Sequence, residues 1–156
     1  MTQSEAIAER LREVLLDGHW IANTNTRAQV EGITWNQATQ KIGNLNTIAA
    51  LTYHLNYYLA GILNVFHGGK LEIRDKFSFD APPIASEEDW NALIAEFTTN
   101  SEKCIAHVKL MEDKKLNDIF VDKKYGTYQR NIEGIISHSY YHLGQITLLK
   151  KMILER

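Results

Sequence analysis

Apolar residues recur at three- and four-residue steps in four long segments of the chain. This spacing is typical of an α-helix that buries one face and exposes the other. The predicted helices lie at about residues 4–16, 46–66, 86–112 and 131–154. Because no internal repeat or low-complexity segment interrupts them, they predict an all-α protein, a four-helix bundle.

Short polar motifs mark the starts of two of these helices. Asn46 is the predicted N-cap of the second helix, since its side chain can accept a hydrogen bond from the first turn. Residues 86–89, Ser-Glu-Glu-Asp, are similar to a capping box and open the third helix. The predicted buried stripe of that helix is Trp90, Ile94, Phe97, Ser101, Cys104, Ile105 and Val108.

The connections between the predicted helices are longer than is usual in a bundle. About 20 to 30 residues separate the first two helices and nearly as many separate the next two, where bundles commonly use 2 to 8. Thr34 could start a short helix, and residues 70–79 have the weak alternation of a strand or an extended loop. Residues 125–128 suggest a turn or hairpin. Simple up-and-down order is therefore not required.

Composition is that of one globular domain, residues 1–156, with 44% hydrophobic and 23% charged residues. The net charge of -2 gives no general attraction to nucleic acid or anionic lipid, so neither is an expected partner. Cys104 is the only cysteine and is expected to be a small core residue, which excludes an intrachain disulfide. No signal peptide or apolar membrane span is recognised, so a cytoplasmic location is expected.

Two histidines and a glutamine share one face of the fourth predicted helix. At 3.6 residues per turn, His138 and His142 differ by about 40° around the axis, and Gln145 lies within about 20° of His138. The same face carries the apolar residues of the predicted core. An unpaired polar group there costs roughly 1 to 3 kcal/mol, so each imidazole must bind protein, water or a metal ion.

A third histidine, His54, lies in the middle of the inward stripe of the second helix. If that helix packs beside the fourth at matching depth, three neutral imidazoles can hold a divalent ion and leave a fourth position open. The alternative is that the histidines form hydrogen bonds in the core or to water. Gln145 is expected to be a core hydrogen bonder, with the alternative that it is a hydrogen-bond partner of a metal-binding histidine. Tyr58 is expected to be a packing residue that could also donate to a substrate.

The chain resembles the DinB-like (YfiT-like) metalloprotein superfamily. The resemblance rests on a mid-helix histidine after Asn-Thr-Ile-Ala, residues 46–49, and on a closing His-x-x-x-His-x-Gly-Gln at residues 138–145. The segments 79–83 and 124–126 also resemble one branch of the family. The resemblance implies a bundle with non-simple connections, a homodimer, and a divalent metal on His54, His138 and His142.

Two functions from different classes follow from this resemblance. The first is a metal-dependent enzyme with zinc or nickel, which would activate a low-molecular-weight thiol for S-transfer or water for hydrolysis. The second is a non-catalytic, dimeric helical-bundle protein whose metal is structural or absent. An open coordination position favours the enzyme, whereas a fourth protein ligand or a site sealed by Tyr58 and Gln145 favours the rival.

Overall fold

The computed structural model describes residues 1–155, which are mainly helical and contain no β-strand. In chain order the helices are α1 (Gln3–Arg12), α2 (Thr26–Glu31), α3 (Trp35–Ala38), α4 (Ile48–Phe66), α5 (Glu87–Leu110) and α6 (Tyr128–Leu154). The four long predicted helices correspond to α1, α4, α5 and α6, so the all-α prediction is confirmed. α1 continues into a π-helical turn, Glu13–Asp17.

The helix starts agree with the predicted motifs, with two corrections. The N-cap of α4 is Thr47, whose Oγ1 accepts from the N–H of Ala50, and the predicted N-cap Asn46 lies one residue outside. Ser86 caps α5 by accepting from the N–H of Asp89. The carboxylate of Asp89 accepts from the N–H of Ala85 instead of returning to Ser86, so the reciprocal half of a capping box is not formed.

α4 and α5 run parallel to each other. Near the middle of α4, the Nδ2 of Asn100 donates to the Oδ1 of Asn56 over 2.9 Å, and at the end of α4 the ring of Phe66 stacks on His107. Residue numbers therefore increase together along both helices. Two parallel neighbours need a connection that returns along the bundle, which is why the 67–86 connection is long.

α4 and α6 run antiparallel. The rings of His54 and His142 lie 4.8 Å apart, whereas Phe66, a full three turns later in α4, lies 6.3 Å from Tyr128 at the start of α6. This direction brings the middle of α4 against the middle of α6. Three inward histidines can then meet, as their placement on facing stripes predicted.

The core lies between the four long helices. Trp90 is fully buried, and its indole N–H donates to the carbonyl of Ile33 over 3.2 Å, so the one polar atom of this large ring is satisfied. Every member of the predicted α5 stripe is buried, namely Trp90, Ile94, Phe97, Ser101, Cys104, Ile105 and Val108. The helical period therefore predicted the buried face of α5 correctly.

Residues 70–79 form no strand; they fold back over α4 and contain a 3-10 turn, Asp75–Phe77. Ile73 packs directly on Gly61 of α4, where a Cβ would lie 2.5 Å from its Cγ2. The hydroxyl of Tyr57 accepts from the N–H of Arg74. The segment before α6 contains one antiparallel bridge, between Ile119 and Thr127. Among residues 1–155, no helix is long and apolar enough to cross a membrane.

Candidate metal centre

The side chains of His54 on α4 and of His138 and His142 on α6 converge on one point. The Nε2 atom of His138 lies 3.1 Å from that of His54 and 3.0 Å from that of His142. One ring nitrogen from each histidine falls within 4.8 Å of the other two. The structure thus brings together the three histidines that the sequence singled out.

Burial makes this cluster chemically unusual. His54 and His142 are 6% and 7% exposed, and His138 is half-buried at the edge of the cluster. Burial, followed by the nearby His142 and His54, lowers the pKa of His138 to about 4. Burial and His142 also lower the pKa of His54. These two rings are therefore neutral at pH 7, which is the form of imidazole that binds metals.

The far nitrogen of two of the rings is held by an oxygen acceptor. The Nδ1 of His142 lies 2.7 Å from the Oε1 of Gln145, and the Nδ1 of His54 lies 3.3 Å from the backbone carbonyl of Ser78. Since a carbonyl oxygen only accepts, Nδ1 must carry the proton in each ring. The Nε2 lone pairs of His54 and His142 are consequently directed at the centre of the cluster.

Gln145 lies on the face of the histidines, as the helical period predicted. Its hydrogen bond to His142 fits both roles considered for it, a core hydrogen bonder and a partner that orients a ligand. Ser78 was missed entirely, because the group that contacts His54 is a backbone carbonyl, which every residue has.

The donor set fits a divalent ion. Three imidazoles are a common ligand set of zinc and are accepted by nickel. In a tetrahedral zinc site with Zn–N distances near 2.0 to 2.1 Å, the nitrogens lie about 3.3 Å apart, close to the 3.0 and 3.1 Å separations here. Without an ion, one proton on the Nε2 of His138 would have to serve both neighbouring lone pairs.

Aromatic rings form the walls of the cluster. Phe79 stacks on His54 with centroids 4.0 Å apart, while Tyr58 meets His54 and His138 edge-on. The hydroxyl of Tyr58 points away and donates to the Oδ1 of Asp75 over 2.7 Å. Burial, and after it this hydrogen bond to Asp75, raises the pKa of Tyr58. Tyr58 packs as predicted, and it does not cap the nitrogens.

One side of the cluster is open. A cavity of about 600 Å³ reaches His138 and continues along α6. Within residues 1–155, the three histidines are the only group of histidine, cysteine or acidic side chains close enough to share an ion, and no fourth such ligand joins them. The cavity is lined by His138 and by neither His54 nor His142, so the space for a small molecule lies beside His138.

The remaining candidate residues lie elsewhere. Cys104 is buried in the core as predicted, and burial raises the pKa of its thiol to about 12, which makes it a poor nucleophile. His107 stacks on Phe66 at the far end of α4, beside His67. His19 is exposed. None of these side chains reaches the cluster.

The fold and the cluster define an all-helical protein with a three-histidine site of the kind that holds a metal ion. The family model of the DinB superfamily matches residues 21–146, which include His54, His138 and His142. The chain belongs to the DinB superfamily. No curated protein and no solved structure matches it. The family and the cluster together fit a metal-binding DinB-like protein.

Proposed function

We propose that this protein is a metal-dependent enzyme whose zinc or nickel ion is held by His54, His138 and His142. The observation that carries the proposal is the convergence of the three Nε2 atoms, two of them freed by hydrogen bonds on the opposite side of their rings. A divalent ion supplies a Lewis acid that lowers the pKa of a thiol or a water beside it.

The protein's own groups would perform three tasks in such an enzyme. Gln145 and the carbonyl of Ser78 orient the rings of His142 and His54 and keep the proton off Nε2. Phe79, stacked on His54, and the edge of Tyr58 keep water away from one side of the cluster. The opening beside His138 admits the substrate. A low-molecular-weight thiol, for S-transfer, or a hydrolysable substrate is the proposed partner.

The open side favours an enzyme over the rival, a non-catalytic dimeric bundle with a structural metal. Structural zinc sites are closed by a fourth protein ligand, and no such ligand lies near the cluster within residues 1–155. Gln145 and Tyr58, the two side chains that could have sealed the site, are turned to His142 and Asp75.

The first test is the metal content of purified, tag-free protein by elemental analysis. We expect about one ion per chain in the parent and little in His138→Ala or His142→Ala, since each variant removes one of three ligands. Absence of metal even after incubation with zinc and nickel would contradict the proposal. The histidines would then be core hydrogen bonders.

A second test separates the enzyme from its structural rival. Thermal unfolding is followed before and after a chelator removes the ion. We expect the fold to persist without metal, because the bundle core is built independently of the histidines. Unfolding on chelation, together with no metal-dependent turnover of thiols, electrophiles or esters, would establish a structural ion.

The proposed assembly is a homodimer of a single-domain chain, as the family resemblance implies. Analytical ultracentrifugation over a range of protein concentrations measures the mass directly. A monomer at all concentrations would remove the dimer from the proposal without affecting the histidine site.

A further inference from the structure

The cavity beside His138 extends along α6 as far as Arg130, which also lines it. Eight residues separate the two, so they lie about 12 Å apart along the helix axis at 1.5 Å per residue. A second cavity of about 320 Å³, lined in part by Arg74, shares four residues with the first, namely Tyr58, Tyr125, Asn131 and Ile135. Together these cavities, referred to below as the α6 cleft, have the size of a site for a small molecule.

Gly134 lies on the floor of the cleft between its two ends. A glycine inside a helix lowers helix stability relative to alanine, so it usually has a packing reason. No such reason exists within residues 1–155, because a Cβ at Gly134 would have no heavy atom within 4 Å. The missing side chain widens the cleft at its middle, midway between His138 and Arg130.

Arg130 supplies a positive charge to the end of the cleft that is remote from the histidines. Its aliphatic part lies against the turn before α6, where a Cβ at Gly126 would be 3.0 Å from its Cδ. Its guanidinium makes no ion pair within 4.0 Å to any residue in the part of the chain that the structure describes. The five donors of this group remain available to an anion.

The acidic side chains of the cleft are already engaged. The Oε1 of Glu133 pairs with Arg10 over 3.5 Å, and the Oδ1 of Asp75 accepts the hydroxyl of Tyr58. The cleft has two guanidiniums, Arg130 in the larger cavity and Arg74 in the smaller, and these two carboxylates leave no surplus positive charge for a dianionic phosphate. A single carboxylate matches Arg130, the one guanidinium that lines the larger cavity. The charge balance therefore favours a monoanion.

Two tyrosines, Tyr58 and Tyr125, line the cleft between its two ends. Asn131 donates from Nδ2 to the carbonyls of Tyr125 and Thr127 over 2.9 and 2.8 Å, which fixes the turn carrying Tyr125 against α6. Tyr58 stands at the histidine end, held by Asp75. Flat apolar surfaces of this kind suit an aromatic or aliphatic chain.

We propose that the α6 cleft binds a small molecule with a carboxylate, which Arg130 receives, while its chain passes over Gly134 and its other end meets the histidines. The histidine end of this inference rests on the proposed function, whereas the carboxylate end does not. The substrate class is thus a carboxylate-bearing small molecule with an apolar middle.

The test uses a matched pair of probes, phenylbutyrate and phenylbutanol, which differ only in the charged group. Each is titrated into the metal-loaded and the metal-free protein, and Kd is measured from amide chemical shifts. We expect the wild-type protein to bind the acid roughly tenfold more tightly than the alcohol. Arg130→Ala should abolish this preference, and Arg130→Lys should keep part of it because the charge remains but the planar fork is lost.

Two controls separate the cleft from general effects of charge and stability. Arg27→Ala removes an arginine that lines neither cavity, and it should keep the full preference for the acid.

Gly134→Leu fills the cleft, so it should raise the Kd of both probes roughly fivefold or more. The same change should raise Tm by about 2 °C, because leucine stabilises a helix relative to glycine. Gly144→Leu is the matched control for Gly134→Leu. Gly144 also lies inside α6, and a Cβ there would have no heavy atom within 4 Å, but it lines neither cavity, so Tm should rise without a change in Kd.

The outcomes distinguish this inference from the proposed function. Equal Kd values for acid and alcohol in the wild type, or a preference that survives Arg130→Ala, would overturn the carboxylate cleft whatever the metal content. A preference for the acid that is present in the wild type and in Arg27→Ala, and absent in Arg130→Ala, would support the cleft. If that result came from a protein that binds no metal, the cleft would stand and the proposed function would fall.

Discussion

Two groups of histidines lie along α4, one near its middle and one at its C-terminal end, and only the first has its ring nitrogens arranged so that they could hold an ion. In the first, three Nε2 atoms meet at 3.0 and 3.1 Å. In the second, the ring centroids of His67 and His107 are 6.2 Å apart, and His107 stacks on Phe66 at 4.5 Å. The rings of both groups contact other rings face-on or edge-on, but only those of the trio point nitrogens at one another.

A lowered pKa does not distinguish the two groups. Burial and His67 lower the pKa of His107, much as burial and neighbouring rings lower the pKa of His138. The difference is the oxygen acceptor behind the ring, which His142 has in Gln145 and His54 has in the carbonyl of Ser78. Convergence together with such orientation distinguishes a candidate metal site better than burial or titration does.

The largest expected effect contrasts one histidine from each group. His54→Ala should lower the affinity for zinc or nickel by more than about a hundredfold. Loss of a metal ligand costs more affinity than loss of a group that only orients a ligand, which costs roughly 10- to 100-fold. His107→Ala should leave the affinity unchanged. Isothermal titration calorimetry of the metal-free variants measures both, and equal affinities in the two variants would remove the distinction between the groups.

The next effect tests the orientation of His142. Gln145→Leu keeps the size of the side chain but removes the acceptor for Nδ1. We expect the metal affinity to fall roughly 10- to 100-fold while the ion still binds. Gln129→Leu, at the start of the same helix and remote from the cluster, is the matched control. An unchanged affinity in Gln145→Leu would show that the hydrogen bond does not orient the ring.

The pH dependence of stability sharpens the comparison in the metal-free protein. As pH falls below 6.5, a histidine in the unfolded chain takes up a proton, while folded His138 stays neutral until its pKa of about 4. Unfolding then takes up a proton, so the free energy of unfolding decreases as the pH falls from 6.5 to 4. Above pH 6.5 the ring of His138 is neutral in both states and contributes no pH dependence. The lowered pKa of His54 acts in the same direction.

Urea unfolding at several pH values measures this loss. We expect about 1 to 2 kcal/mol from His138, less than complete burial would give because its ring is half-exposed. His138→Ala should flatten the profile between pH 6.5 and 4. A profile as steep in His138→Ala as in the parent would assign the pH dependence to other groups.

The smallest effect concerns the His67–His107 pair. His107→Ala removes the ring that stacks on Phe66, and we expect a loss of about 1 kcal/mol in the free energy of unfolding with no change in metal content. Urea unfolding and elemental analysis of the same sample report both quantities. A change in metal content would mean that the pair binds an ion after all.

Much of the fold was predictable because helix periodicity and capping are local. The buried stripe of α5 and the shared face of His138, His142 and Gln145 follow from the 3.6-residue period alone. The short helix α2 was missed, since its six residues hold a single buried apolar side chain, Val30, and show no period. The N-cap of α4 was placed one residue early because Asn46 and Thr47 are both good capping residues.

The site was predictable only as far as it lies on helices. The sequence by itself determined the all-α class, the inward positions of the three histidines and the family, since these depend on residue type and spacing along the chain. The tertiary structure alone decided that α4 and α6 run antiparallel at matching depth, so that the three nitrogens meet. It also decided that the 67–86 connection folds back to place Ser78 and Phe79 on His54. Contacts between distant segments depend on packing and loop closure, which no local pattern encodes.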